Sequence, residues 1–119
     1  MSAKFTRNIA PYVRAEIQLA NIERQKGNTS QEFFHLENAH VIGQSSTYWH
    51  VKVHIYMLFW AVRNAKFREF SGQMLRIVGA AIKTPIGFLP QGNTGGANVS
   101  PFKAMTIKPE HQEIINRAN

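Results

Sequence analysis

The chain has 119 residues, with 14 Lys plus Arg against seven acids, every one of them Glu, for a net charge of +7. That length buries roughly two-thirds of an unfolded chain's surface in one domain without covalent staples; the absence of cysteine excludes a disulfide scaffold, a thiolate metal site and cysteine catalysis. A pI near 10.2 raises nucleic acid or another anion as a partner, yet the basic residues are scattered from Lys4 to Arg117 with no run of three, which is poor clustering for phosphate tracking.

The opening stretch MSAKFTRNIAPYV has no continuous apolar run, so no cleaved signal peptide is expected. A first helix is predicted from about Ile9 to Lys26, with Pro11 in its first turn and Val13, Ile17 and Ala20 on the inner face. Gly27-Asn28 stops it, both residues tolerating positive φ. A second helix runs from Thr29 or Ser30 to Ile42 and ends at Gly43, with Thr29 and Glu32 at the spacing of a capping box. Ser45 or Ser46 caps a third, Thr47 to about Asn64. Its core YWHVKVHIYMLFWAV is nearly all apolar, but the uninterrupted stretch Ile55–Val62 is far below the roughly 20 residues that a membrane span needs. A buried central helix is the better reading.

The fourth helix, Phe67 to Lys83, carries Phe67, Phe70, Met74, Ile77, Val78, Ala81 and Ile82 on one broad apolar face. Gly72 and Gly79 offer close approach to a neighbouring helix, and Thr84-Pro85 ends it. Residues 86–109 are Gly- and Pro-rich without periodicity, and Phe88, Leu89, Val99, Phe102 and Ile107 imply a segment pinned onto the helices. A short last helix, Glu110–Ala118, follows Pro109. The expectation is a single all-α domain over 1–119: a four-helix bundle-like body (1–85) of two helical hairpins, weakly helical-repeat-like, with an irregular C-terminal segment (86–119) packed on it.

Four of the five histidines lie between residues 35 and 54. Glu37 and His40 on the second helix are about 60° apart around the axis, and His50 and His54 on the third are about 40° apart. A short turn makes these helices antiparallel neighbours, so Glu37, His40, His50 and His54 can converge inside the bundle. Imidazole and carboxylate ligands suit Zn, Fe, Ni or Cu. Glu16, Glu23 and Gln44 are supporting or alternative ligands. His35 points about 140° away from His40 and cannot share that site. The competing reading is that the histidines simply hydrogen-bond core partners, with Tyr48 and Tyr56 at hand. No Asp and no G-x-S-x-G elbow are present, so a Ser–His–Asp triad is excluded. Gly92–Gly96, GNTGG, reads first as a structural turn; as a weaker anion-binding loop it would act through Asn93 and Thr94. Arg63, Lys66, Arg68 and Arg76 form the nearest thing to a basic patch and read first as a solvated face.

The segment His35-Leu36-Glu37-Asn38-Ala39-His40-Val41-Ile42-Gly43-Gln44, together with GNTGG at 92–96, resembles a bacterial family filed as domain of unknown function 3703, over most of the chain. The resemblance implies a cytoplasmic bacterial protein of about this length with no assigned activity, and a link to heavy-metal resistance. It places Glu37, His40, Gly43 and Gln44 within a family motif. Three functions are therefore expected in descending order: a small metal-binding protein, a helical interaction module taking a protein partner or a second copy with no cofactor, and an anion- or nucleic-acid-binding protein. Whether the chain is an enzyme stays open on this reading.

Overall fold

The computed structural model describes residues 3–84 and 90–119. Within them the chain forms five helices and no strand: α1 (Ala3–Gln25), α2 (Thr29–Gly43), α3 (Thr47–Arg63), α4 (Phe67–Lys83) and α5 (Pro109–Ala118). The all-α bundle expected from the periodicity is what forms, with most helix limits within two residues of the expected ones. The start of α1 differs. It lies six residues earlier, so that Pro11 is internal to the helix rather than in its first turn. An internal proline costs about 3 kcal/mol, but the turns before it bury Phe5 and Ile9 almost completely, at roughly 1.5–3 kcal/mol each. Tertiary burial outweighs the local penalty.

Two hairpins make up the body, and both turn in the same way. Gly27 (φ 79) and Ala65 (φ 52) take the left-handed conformation just after α1 and α3. In each, the next residue's N–H reaches back five residues, Asn28 to the carbonyl of Glu23 and Lys66 to that of Ala61, both at 2.9 Å. These are matching Schellman-type caps. The expected Thr29–Glu32 capping box does not form: α2 has no side-chain cap, because the buried Glu32 carboxylate is held by both terminal nitrogens of Arg63, at 3.2 and 2.8 Å. Arg63 thus serves as the partner of a buried acid rather than as part of a solvated basic face. Ser46 caps α3, accepting from the backbone N–H of Trp49.

The main apolar cluster comes from α1 (Phe5, Ile9, Val13, Ile17), α2 (Leu36, Ile42), α3 (Trp49, Val53, Met57, Trp60) and α5 (Ile115, Ala118), and among the described residues none of α4 belongs to it. The broad apolar face of α4 points outward instead, with Phe67 at 80% and Leu75 at 77% exposure, and Val78 and Ile82 also exposed. What α4 turns inward is a polar stripe: Gln73 and Thr84 are fully buried, Ala80 lies between them, and Glu69 and Arg76 are partly covered. Gly72 admits the C-terminal segment rather than a helix, since a Cβ there would sit 2.5 Å from that of Ala97. Val99 and Ile107 of the segment are partly covered and Phe102 is exposed; Phe88 and Leu89 lie outside the described residues. No helix among the described residues is long and apolar enough to cross a membrane.

Candidate metal centre

The corner between α2 and α3 builds the site. Gly43 lets the start of α3 tuck against α2: a Cβ there would meet the Cβ of Trp49 at 2.9 Å and Val13 at 3.1 Å. This tight corner sets the last turn of α2 beside the first two turns of α3. His40, His50 and His54 then converge, each offering one ligand atom, and all three atoms lie within 4.8 Å of one another. All three side chains are buried, none more than 7% exposed.

The hydrogen bonds fix which ring nitrogens carry protons. His40 Nδ1 lies 2.7 Å from the carbonyl oxygen of Asn93. A carbonyl only accepts, so Nδ1 of His40 bears the hydrogen and Nε2 carries a lone pair. His54 Nδ1 lies 2.5 Å from Gln73 Oε1. The orientation of that amide is itself fixed, because Gln73 Nε2 donates to Glu69 (2.5 Å) and to the carbonyl of Gly95 (2.8 Å). His54 Nδ1 therefore also donates, and its Nε2 also carries a lone pair. His50 Nδ1 lies 2.7 Å from the Thr84 hydroxyl.

The two lone-pair atoms, Nε2 of His40 and Nε2 of His54, face each other at 3.1 Å. Neither neutral ring can donate to the other without turning a bare nitrogen onto a carbonyl oxygen. A proton between them is also disfavoured. Burial, followed by the neighbouring His54 and His50, holds His40 well below its ordinary range. Burial, reinforced by Arg76 and opposed by the bond to Gln73, holds His54 at about 4. At neutral pH both rings are uncharged.

A second ring of residues holds these imidazoles. Gly95 (φ 86) presses its backbone against His40, leaving no space for a side chain: a Cβ would lie 2.5–2.8 Å from three atoms of the ring. The Asn93 side chain ties the loop together, donating to the carbonyls of Ser100 and Lys103 and accepting from the N–H of Gly95. Glu69 accepts from the N–H of Ala97 as well as from Gln73. Above the histidines opens a cavity of about 520 Å³, walled by Leu75, Val78, Pro90 and Phe102 and touched by Gln44 and Arg76. Two buried polar atoms of these lining residues have no partner among the described residues: Gln44 Oε1 and Arg76 Nε.

Glu37 stays outside the cluster. The roughly 60° between it and His40 sends its carboxylate to Thr94 instead, where burial and the nearby Glu69 raise its pKa. Glu16 binds His35 at 2.7 Å and Asn38 at 3.4 Å on another face. Glu23 is occupied with Asn28 in the first hairpin turn. Gln44 is at the site, its Nε2 donating to the carbonyl of Pro90. Of the weaker anion-loop candidates, the Asn93 amide is used within the loop and Thr94 bonds Glu37. The Nδ1 partners of the three histidines are Asn93, Thr84 and Gln73, rather than Tyr56 or the exposed Tyr48.

Sequence spacing alone did not single out Gln73, Arg76 and Thr84 as parts of this site. The signal was nonetheless there: Glu69, Gln73, Arg76, Ala80 and Thr84 recur at spacings of four, three, four and four, one continuous helical stripe. Choosing the inner face of α4 by hydrophobicity selects the opposite side.

Fold and site together define a small all-α protein with a buried three-histidine cluster at the floor of an apolar cavity. The chain belongs to the family described as Protein of unknown function (DUF3703), whose model matches residues 7–115. No curated protein and no solved structure matches the chain.

Proposed function

We propose that His40, His50 and His54 bind a divalent transition metal. The observation that carries this reading is the pair of opposed lone pairs, His40 Nε2 and His54 Nε2, 3.1 Å apart in a buried setting. Two nitrogens bound to one ion at about 2.0–2.1 Å stand roughly 2.8–3.4 Å apart for bond angles between 90° and tetrahedral. The observed spacing is what a shared cation requires, and it is unfavourable without one. The fixed Nδ1–H donors to Asn93 and Gln73 supply the outer hydrogen bonds that metal-bound histidines ordinarily make. Three neutral imidazoles leave a coordination position open, as catalytic zinc sites do; here that position would face the cavity. Zn, Fe, Ni and Cu are the imidazole-seeking ions that suit this donor set. The family resemblance extends the proposal to a role in heavy-metal handling in the bacterial cytoplasm, carried out by the chain as a single domain.

The test is a metal titration followed by thermal unfolding. Zn at 100 times its dissociation constant should stabilise the fold by about 2.7 kcal/mol, and His40→Ala or His54→Ala should abolish that gain. Stabilisation that survives both substitutions would count against the site.

A second reading is favoured by the outward apolar residues of α4. Phe67, Leu75, Val78 and Ile82 form the exposed patch that a protein-interaction module presents. Light scattering across a concentration series tests for a second copy on that face: a mass that stays monomeric at high concentration removes self-association.

A further inference from the structure

We infer that the cavity above the histidines binds a small carboxylate bearing an adjacent hydroxyl and an apolar group, such as a branched 2-hydroxy acid. This inference rests on the metal reading above. Three features of the cavity point to that chemistry.

The first is Arg76. Its two terminal nitrogens are committed to the carbonyls of Gly72 (3.2 Å) and Val99 (2.6 Å), which leaves Nε–H buried and unpartnered. Among the described residues no carboxylate lies in ion-pair range of the guanidinium. The imidazoles beside it carry no negative charge in any protonation state that binds a metal, so they supply no counter-ion. Burial disfavours the Arg76 cation and Glu69 offsets part of that from beyond contact distance, so an anionic group in direct contact would offset the rest. The second is Gln44, whose side chain is almost fully buried. Its Nε2 is held by Pro90, so the orphan Oε1 is an acceptor and calls for a donor on the ligand. A ligand that carries an acceptor oxygen beside an O–H satisfies both orphans. A carboxylate with a neighbouring hydroxyl is such a group, and its two oxygens also suit chelation of a metal with an open position. The third is the wall: Leu75, Val78, Pro90 and Phe102 offer a hydrocarbon surface, which suits an aliphatic branch and disfavours a polyanion such as a phosphate ester.

Cobalt(II) provides the test, because its visible absorption reports ligands entering the coordination sphere. Co(II)-loaded protein is titrated with 2-hydroxy-4-methylpentanoate, 4-methylpentanoate and inorganic phosphate. The hydroxy acid should shift the spectrum, bind at least tenfold more tightly than its deoxy analogue, and outcompete phosphate. Arg76→Gln should still take up Co(II) but lose at least tenfold in hydroxy-acid affinity. Val78→Trp changes an exposed position at the cavity wall, so it should fold normally and block binding even if Arg76→Gln proves unstable. Co(II) uptake with no preference for the hydroxy acid, or with unchanged affinity in both variants, overturns the inference and leaves the metal reading standing. No Co(II) uptake by the parent overturns both.

Discussion

Gly95→Ala disturbs the proposed centre without removing a ligand, and its effect can be worked out from the structure. Two costs apply. A non-glycine residue at φ 86 costs about 1–2 kcal/mol of stability. The new Cβ would also lie 2.5 Å from His40 Cδ2 and 2.8 Å from Nε2, whereas carbon contacts settle near 3.5–4.0 Å. The ring must therefore retreat by about 1 Å, well beyond the roughly 0.2 Å that metal–ligand distances tolerate. Metal affinity should fall about 10–100-fold, the usual cost of disturbing the support of a ligand. Gly27→Ala is the matched control, since Gly27 has φ 79 and a Cβ placed there would meet no atom within 4 Å. It should lose comparable stability and no metal affinity. Calorimetric titration with Zn, beside urea unfolding of both metal-free variants, measures the two effects separately. Parental affinity in Gly95→Ala, or an equal loss in Gly27→Ala, would refute the claim that Gly95 seats His40.

Gln73→Leu removes the acceptor that fixes the His54 tautomer, so it should weaken Zn binding about 10–100-fold while leaving helix content unchanged by circular dichroism; unchanged affinity would show that the amide does not orient the ring. Ala65 holds the left-handed turn between α3 and α4 at φ 52, so Ala65→Gly should stabilise the protein by about 0.5–1 kcal/mol, read from the urea midpoint, and a loss would contradict the cap assignment. The metal-free protein should also weaken in acid. His54 titrates at about 4 in the fold against an ordinary value near 6.5, so on acidification the unfolded chain takes up its proton first. Its contribution is complete above about pH 6.5 and fades as pH falls toward about 4, by up to about 3 kcal/mol. His40 acts in the same direction, and a urea midpoint that does not move between pH 7.5 and 5 would argue against neutral buried imidazoles.

The helices were legible because their ends carry local chemistry: Gly27-Asn28, Gly43 and Ser46 mark boundaries that the fold keeps. The convergence of His40, His50 and His54 was legible from helical spacing and one short turn. What spacing could not convey is how finely side chains diverge on a shared face. Glu37 and His40 sit one turn apart, yet one meets Thr94 and the other His54. The partner of Glu32 was hidden for a different reason. Its capping role was a local possibility, while Arg63 lies 31 residues away and wins by a two-point contact in a buried place. The inner face of α4 was obscured because hydrophobicity stands in for burial only where the interior is apolar. Around a polar centre the rule reverses, and Gln73 and Thr84 go in while Phe67 and Leu75 stay out. GNTGG was recognisable as a turn, but only the fold brings Asn93 and Gly95 onto His40.

The most direct test is elemental analysis of untagged protein, as purified, beside the His40→Ala/His54→Ala double variant. A metal centre at these histidines predicts near-stoichiometric transition metal in the parent and none in a variant that still folds. Metal absent from both, with no uptake after addition of Zn, Fe, Ni or Cu, would contradict it.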